Sequence, residues 1–170
     1  VAEIVKALRK FDLPIGVSVT PAERSSRILQ EAGADEIKYN VECLDPVLFE
    51  RVCPGVSLEK IKAALADAAG RFGKNRVFSN VIVGLGESEI ALREGIEELA
   101  EMGVLPVIRA VYPHPLRVGE VEMVRPSPER LLDLARHLRR ALDVHRLRGD
   151  VAETGCYRCT GCDLIPHRDL

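Results

Sequence analysis

Val77-Phe78-Ser79-Asn80-Val81-Ile82-Val83-Gly84-Leu85-Gly86-Glu87 is the stretch on which the reading of this chain turns. Its first seven residues are apolar apart from Ser79 and Asn80, rich in β-branched side chains, and followed by two glycines. A short apolar run bounded in this way predicts a strand buried on both faces. Asn80 breaks the pattern midway, so its amide needs a partner in the core or on a ligand. Glu87 lies just past the strand, in a glycine loop whose backbone can approach a bound molecule closely. Ligands of α/β sheets and barrels bind at the carboxyl ends of the strands. The site is therefore expected at this end of this strand.

Outward from it, the apolar pattern alternates between strand and helix periods. Residues 14–20, 35–42 and 104–111 read as three further strands. Helical spacing marks residues 1–10, 21–32, 45–52, 57–72, 89–102 and 128–148, with stops at Gly33, Gly73 and Gly103. Thr20 before Pro21 and Ser127 before Pro128 both pair a capping side chain with proline at the first helical position. Residues 113–128 are Pro-rich and too long for an ordinary connection, which predicts a functional loop. Strands each followed by helix mean right-handed βαβ crossovers and a parallel α/β sheet. Four units are too few for a closed eight-fold barrel, which takes roughly 250 residues. The leading helix with no strand before it favours part of a barrel over an open sheet. The four strands should lie adjacent in chain order, with helices on the convex side. A partial barrel is expected over residues 1–150 and a separate tail over 151–170.

A hydrophobic fraction of 46% over 170 residues suits one sizeable core. The formal net charge of -2 gives no reason to expect nucleic acid or an anionic membrane surface as partner. No apolar run is long enough to span a bilayer and no signal peptide is visible, so a cytoplasmic setting is expected. The sequence opens at Val1 inside an amphipathic stretch without an initiator Met, which reads as a piece of a longer protein. Five cysteines, three of them between positions 156 and 162, argue for reduced thiols and a metal rather than a disulfide framework.

Polar residues at strand ends carry the site. Asn40 and Glu42, two apart at the end of the second strand, project from one face; the plain alternative is a solvated strand end. Arg109, set among apolar residues, needs a carboxylate, phosphate or similar acceptor. Pairing with Glu42 or Glu87 and binding a ligand are equally open. His114 stands between Pro113 and Pro115 and faces either the site or only a rigid turn. Cys156, Cys159 and Cys162, spaced Cys-x2-Cys-x2-Cys, can present three thiolates to one iron–sulfur cluster. The rival is a closed structural zinc site completed by His167. Cys43 and Cys53 read as core thiols, His137 and His145 as surface residues. The arginines of the last helix make a solvated face or a docking surface for an acidic partner.

Taken together, Tyr39-Asn40-Val41-Glu42-Cys43-Leu44-Asp45-Pro46, the loop Gly84-Leu85-Gly86-Glu87 and the stretch from Arg109 to Tyr112-Pro113 resemble the second half of a radical SAM enzyme core. That superfamily builds a partial (β/α)6 barrel around a [4Fe–4S] cluster and S-adenosylmethionine. Asn80, Ile82, Gly84 and Glu87 match its Gly-x-Ile-x-Gly-x-x-Glu pattern, with Asn in place of the first Gly. The chain resembles most closely the biotin-synthase-related proteins of archaea, cysteine tail included, a neighbourhood that contains components of a two-protein lipoyl synthase. The resemblance implies strands three to six of the barrel, S-adenosylmethionine held by Asn40, Glu42, Asn80, Gly84, Glu87 and Arg109, and an auxiliary cluster on the tail.

One departure limits this. The Cys-x3-Cys-x2-Cys motif that holds the radical-generating cluster is absent. The expectation is thus a radical SAM enzyme fragment, or a subunit completed by another chain, inactive alone. Sulfur insertion into a small-molecule or acyl-carrier substrate is the implied reaction. A non-catalytic α/β domain with a zinc tail, binding a partner, is the alternative.

Overall fold

A computed structural model describes residues 1–117, 119 and 121–170. Four parallel strands, β1 (Gly16–Ser18), β2 (Glu36–Lys38), β3 (Val77–Val83) and β4 (Leu105–Ala110), form one sheet in the order β1-β2-β3-β4. Helices α1 (Ala2–Leu8), α2 (Ser25–Glu31), α3 (Pro46–Val52), α4 (Leu58–Phe72), α5 (Glu89–Glu101), α6 (Pro128–Val144) and α7 (Gly155–Cys159) complete it. The architecture expected from the alternating periods is the one found, a four-unit parallel βα array.

Local chemistry sets the element bounds. Asp45 accepts from the Val47 and Leu48 amides, Ser57 from Lys60, Ser88 from Ala91 and Ser127 from Arg130, so α3 to α6 each start on a side-chain cap. Thr20 does not cap α2. That helix begins at Ser25 behind Arg24 at φ 60°, and residues 20–24 form an irregular turn. The first two strands are also shorter than their apolar runs.

Alternation of side chains across the strands divides the sheet into two faces. Ile37, Tyr39 and Val41 with Val77, Val81 and Val83 are buried toward the helix layer. There the Tyr39 hydroxyl meets the Ser25 and Ser26 hydroxyls of α2, at 2.6 and 3.2 Å. The opposite face carries Lys38, Asn40, Phe78, Asn80, Ile82, Val107 and Arg109. The tail crosses this second face.

In the tail, residues 155–159 are helical and Tyr157 is buried. Its hydroxyl donates to the Pro106 carbonyl, and its ring meets Phe78 edge-on at 5.9 Å. Upstream, the buried carboxylate of Glu36 accepts from the amides of Glu153 and Thr154, both at 2.8 Å, and from the Thr154 hydroxyl. Apolar burial and these bonds order this part of the tail. His137, expected at the surface, is mostly buried, reaching the Arg93 carbonyl and Glu97.

Candidate functional site

The cleft lies at the carboxyl ends of β2 and β3. Between the main-chain bonds at Tyr39 and Glu42, side chains join the ladder: Ser79 Oγ accepts from the Val41 amide at 2.9 Å, and Asn40 Oδ1 from the Asn80 amide at 3.3 Å. Glu42 then takes φ 59°, unusual for a non-glycine residue. Its backbone is nonetheless fixed in register, donating to the Asn80 carbonyl at 3.0 Å and accepting from the Ile82 amide at 2.7 Å. Backbone strain held in place by its surroundings concentrates at functional sites.

Glu42 consequently stands between two cavities at the carboxyl ends of the strands. One, of about 430 Å³, is lined by Glu42, Asn80, Arg109 and His114 among apolar walls that include Ile82 and Met123. The other, of about 330 Å³, is lined by Ser18, Thr20, Asn40 and Glu42 with Val56 and Ile61. The larger falls in the range of about 300–1,000 Å³ that ligand pockets occupy. Val121 and Met123, from the long Pro-rich connection, roof the larger cavity, and the Val124 amide donates to the Gly84 carbonyl at 2.9 Å. Sequence reading gave that connection no such position.

The electrostatics are those of a binding site. Burial pushes the Glu42 carboxyl above its ordinary value, opposed by its hydrogen bond with Asn40 and by the charges of Lys38 and Arg109. Among the described residues the buried Asn80 Oδ1 atom has no hydrogen-bond partner, and Asn80 lines the larger cavity. A polar atom left unpaired in this way is a point at which a ligand donor is gained at little cost. A carboxyl perturbed by burial in a cleft is a further mark of a site. A raised folded-state pKa means that the stability linked to Glu42 is complete below its ordinary 4.5 and is lost as pH rises through the folded value. Glu42→Gln should therefore be more stable than the parent at neutral pH, the gain vanishing in acid. Thermal melts across that window check the sign.

Of the residues expected to bind a cofactor, Glu42, Asn80 and Arg109 share the larger cavity and Asn40 the smaller. Glu87 and Gly84 do not line either. The Glu87 carboxylate, 3% exposed, accepts from the Gly84 and Leu85 amides at 2.9 and 2.7 Å and from Arg130 at 2.9 Å, folding the loop on itself. Gly84, at φ +106°, has Val124's carbonyl 2.2 Å from where a Cβ would stand. Two residues that sequence reading passed over lie near the site without lining either cavity: Lys38, whose charge acts on Glu42, and Asp163, beside Arg109. The first was legible as one more step of the period-two pattern; the second had no signal beyond its place after Cys162.

Arg109 links the cleft to the tail. Its Nη1 lies 3.6 Å from Cys156 Sγ and its Nε 3.7 Å from Asp163. Burial raises the Asp163 carboxyl, against the pull of Arg109 and Lys38. Cys159 is exposed. Among the described residues, no three Cys, His, Asp or Glu side chains converge on a point that could hold a metal. His167, the fourth ligand of the zinc alternative, turns instead to Asp143 at 3.0 Å. Cys43 is buried with its thiol pushed up to about 11, as expected of a core cysteine.

A parallel partial-barrel array with a polar cleft at the carboxyl ends of its strands is the class of protein that this fold and site define. No protein-family model matches the chain, and no curated protein matches it. A solved structure does: the chain is similar to a domain of pyruvate-formate lyase-activating enzyme from Bacteroides vulgatus ATCC 8482, with a TM-score of 0.61. The match covers 86% of this chain and 85% of that one at 16% identity, so the likeness is one of fold.

Proposed function

We propose that this chain is the second half of a radical SAM enzyme core, with S-adenosylmethionine held across the cleft by Asn40, Glu42, Asn80 and Arg109. The unpaired, buried Asn80 Oδ1 in the larger cavity is the observation that carries the reading. Two others support it: the strand-end motifs that resemble that superfamily, and a fold shared with an activating-enzyme domain. Glu42 can accept hydrogen bonds from ribose hydroxyls or an ammonium group, Asn80 Oδ1 from an amine, and Arg109 can face a carboxylate. When bound together with its [4Fe–4S] cluster, S-adenosylmethionine supplies a 5'-deoxyadenosyl radical. That cluster belongs to the Cys-x3-Cys-x2-Cys motif of a complementing first half, supplied in the same chain or by a partner.

S-adenosylhomocysteine, titrated into the labelled chain, should move the amide resonances of residues 40–42, 80–82 and 109 and leave those of α6 in place. Glu42→Gln should weaken this binding by roughly tenfold, the loss of one charge-assisted hydrogen bond. No shift at millimolar ligand would sink the assignment.

Sulfur insertion, as in biotin or lipoyl synthesis, is the finer reading, and an auxiliary cluster on Cys156, Cys159 and Cys162 is its requirement. The Cys-x2-Cys-x2-Cys spacing supports it. The observed side-chain positions do not fit a cluster, because Cys156 and Cys162 flank Arg109 and would have to leave it. We route no step through that group. Anaerobically purified protein with about four irons on the tail, lost in Cys159→Ala, supports the cluster; one zinc and no iron removes the sulfur-insertion reading.

A further inference from the structure

A third cavity, of about 130 Å³, lies at the outer edge of β4, between that strand, α6 and the end of the tail. It is separate from both cavities of the cleft, and none of the residues assigned to S-adenosylmethionine lines it. Asp163 does. Its side chain is 7% exposed, and among the described residues its carboxylate accepts no hydrogen bond. The Arg109 Nε atom stands 3.7 Å from it, beyond hydrogen-bond length. A carboxylate buried on these terms still lacks donors, and a molecule in the cavity can supply them.

The other walls narrow the kind of molecule. β4 ends the sheet, and the Val111 amide points to β3, so the alternate residues Ile108 and Ala110 turn their main-chain groups outward. Among the described residues no main-chain group pairs with them there, and both line the cavity. Leu131 and Leu138 of α6 and Leu164 of the tail give it an apolar wall. Arg125 is exposed, makes no hydrogen bond or ion pair among the described residues, and also lines it. The volume is well below the about 300 Å³ at which pockets for drug-sized ligands begin, too small for a strand of peptide. An unbonded anion, an unpaired cation and an aliphatic wall around so small a space match a small zwitterion with an aliphatic body.

We propose that this cavity binds a free aliphatic α-amino acid. Its ammonium meets Asp163 and the outward carbonyls of β4, its carboxylate meets Arg125, and its side chain lies against Leu131, Leu138 and Leu164. The assignment goes beyond the cofactor reading and does not depend on it.

The test is titration of the isotope-labelled 170-residue chain, in chelator, with leucine, leucinamide and N-acetylleucine. Leucine at millimolar concentration should move the amide resonances of Leu131, Ala135, Asp163 and Leu164 in one saturable step and leave those of residues 40–42 and 80–82 in place. N-acetylleucine keeps the carboxylate and side chain but lacks the ammonium, and should bind about tenfold more weakly, the loss of a charge-assisted hydrogen bond. Leucinamide, which lacks the carboxylate, should also bind more weakly than leucine, and the two should bind alike in Arg125→Gln. Asp163→Asn should cost leucine about tenfold and leave N-acetylleucine as it was. No shift with leucine near its solubility limit would overturn the proposal. So would equal affinity for leucine and N-acetylleucine in the parent chain, which means a plain apolar groove. Leucinamide binding as tightly as leucine would overturn the free amino acid in favour of the amino terminus of a peptide. S-adenosylhomocysteine that moved Asp163 and Leu164 but not residues 40–42 would remove the cofactor reading and leave this site standing.

Discussion

Tyr157→Ala should cost about 3–5 kcal/mol of folding stability, the range for removing a buried aromatic ring, and should loosen the whole tail. The ring is buried against Phe78, and its hydroxyl holds the Pro106 carbonyl on the open face of the sheet. Both the cavity and the orphaned carbonyl contribute. Urea unfolding measures the loss, and limited proteolysis after residue 150 reports the tail. Because the order here comes from packing, the parent tail should resist protease in chelator as well as without it. Tyr157→Phe separates the terms: it keeps the ring contact and loses only the hydroxyl, so about 1 kcal/mol is expected.

Glu87→Ala should cost about 3 kcal/mol, since it leaves two backbone donors and a guanidinium without their shared acceptor. Arg130 keeps Glu89 and is partly solvated, which holds the cost at the lower end for a broken ion pair. The affinity of the cleft for S-adenosylhomocysteine, measured well below the melting transition, should fall less than in Glu42→Gln. That contrast separates a carboxylate that folds the loop from one that meets a ligand. A variant that melts with the parent, or that loses binding at full stability, would reverse the two roles.

Strand order and the parallel sense were legible because β1, β3 and β4 are β-branched runs closed by glycine or proline, and each helix from α3 to α6 starts on a capping residue. The cleft was legible only in part. Asn40, Glu42, Asn80 and Arg109 stood out as polar residues in apolar runs, and that is enough to find a strand-end site. What hid the rest was its dependence on neighbours distant in sequence. Nothing near Glu87 announces that Arg130 will meet it, and nothing near Asp163 announces Arg109. Ser79 reads as a flaw in a strand, yet its hydroxyl accepts from the Val41 amide across the ladder. Tyr157 lies between two cysteines whose spacing draws attention away from it.

The Glu36 contacts have a bearing on biosynthesis. The carboxylate and the tail groups that donate to it are up to 118 positions apart, and a Cβ on Gly16 of β1 would fall against the Thr154 hydroxyl. At roughly 5–20 residues per second, the ribosome needs roughly 6–24 s to make what lies between. For that interval the first two strands exist without the segment that closes over them. A carboxylate is a suitable group to be left waiting there, because water solvates it and it offers nothing for a neighbouring nascent chain to stick to. An apolar residue at position 36 would leave the Glu153 and Thr154 amides without this acceptor in the finished fold, and a hydrophobic surface uncovered until translation reached the tail.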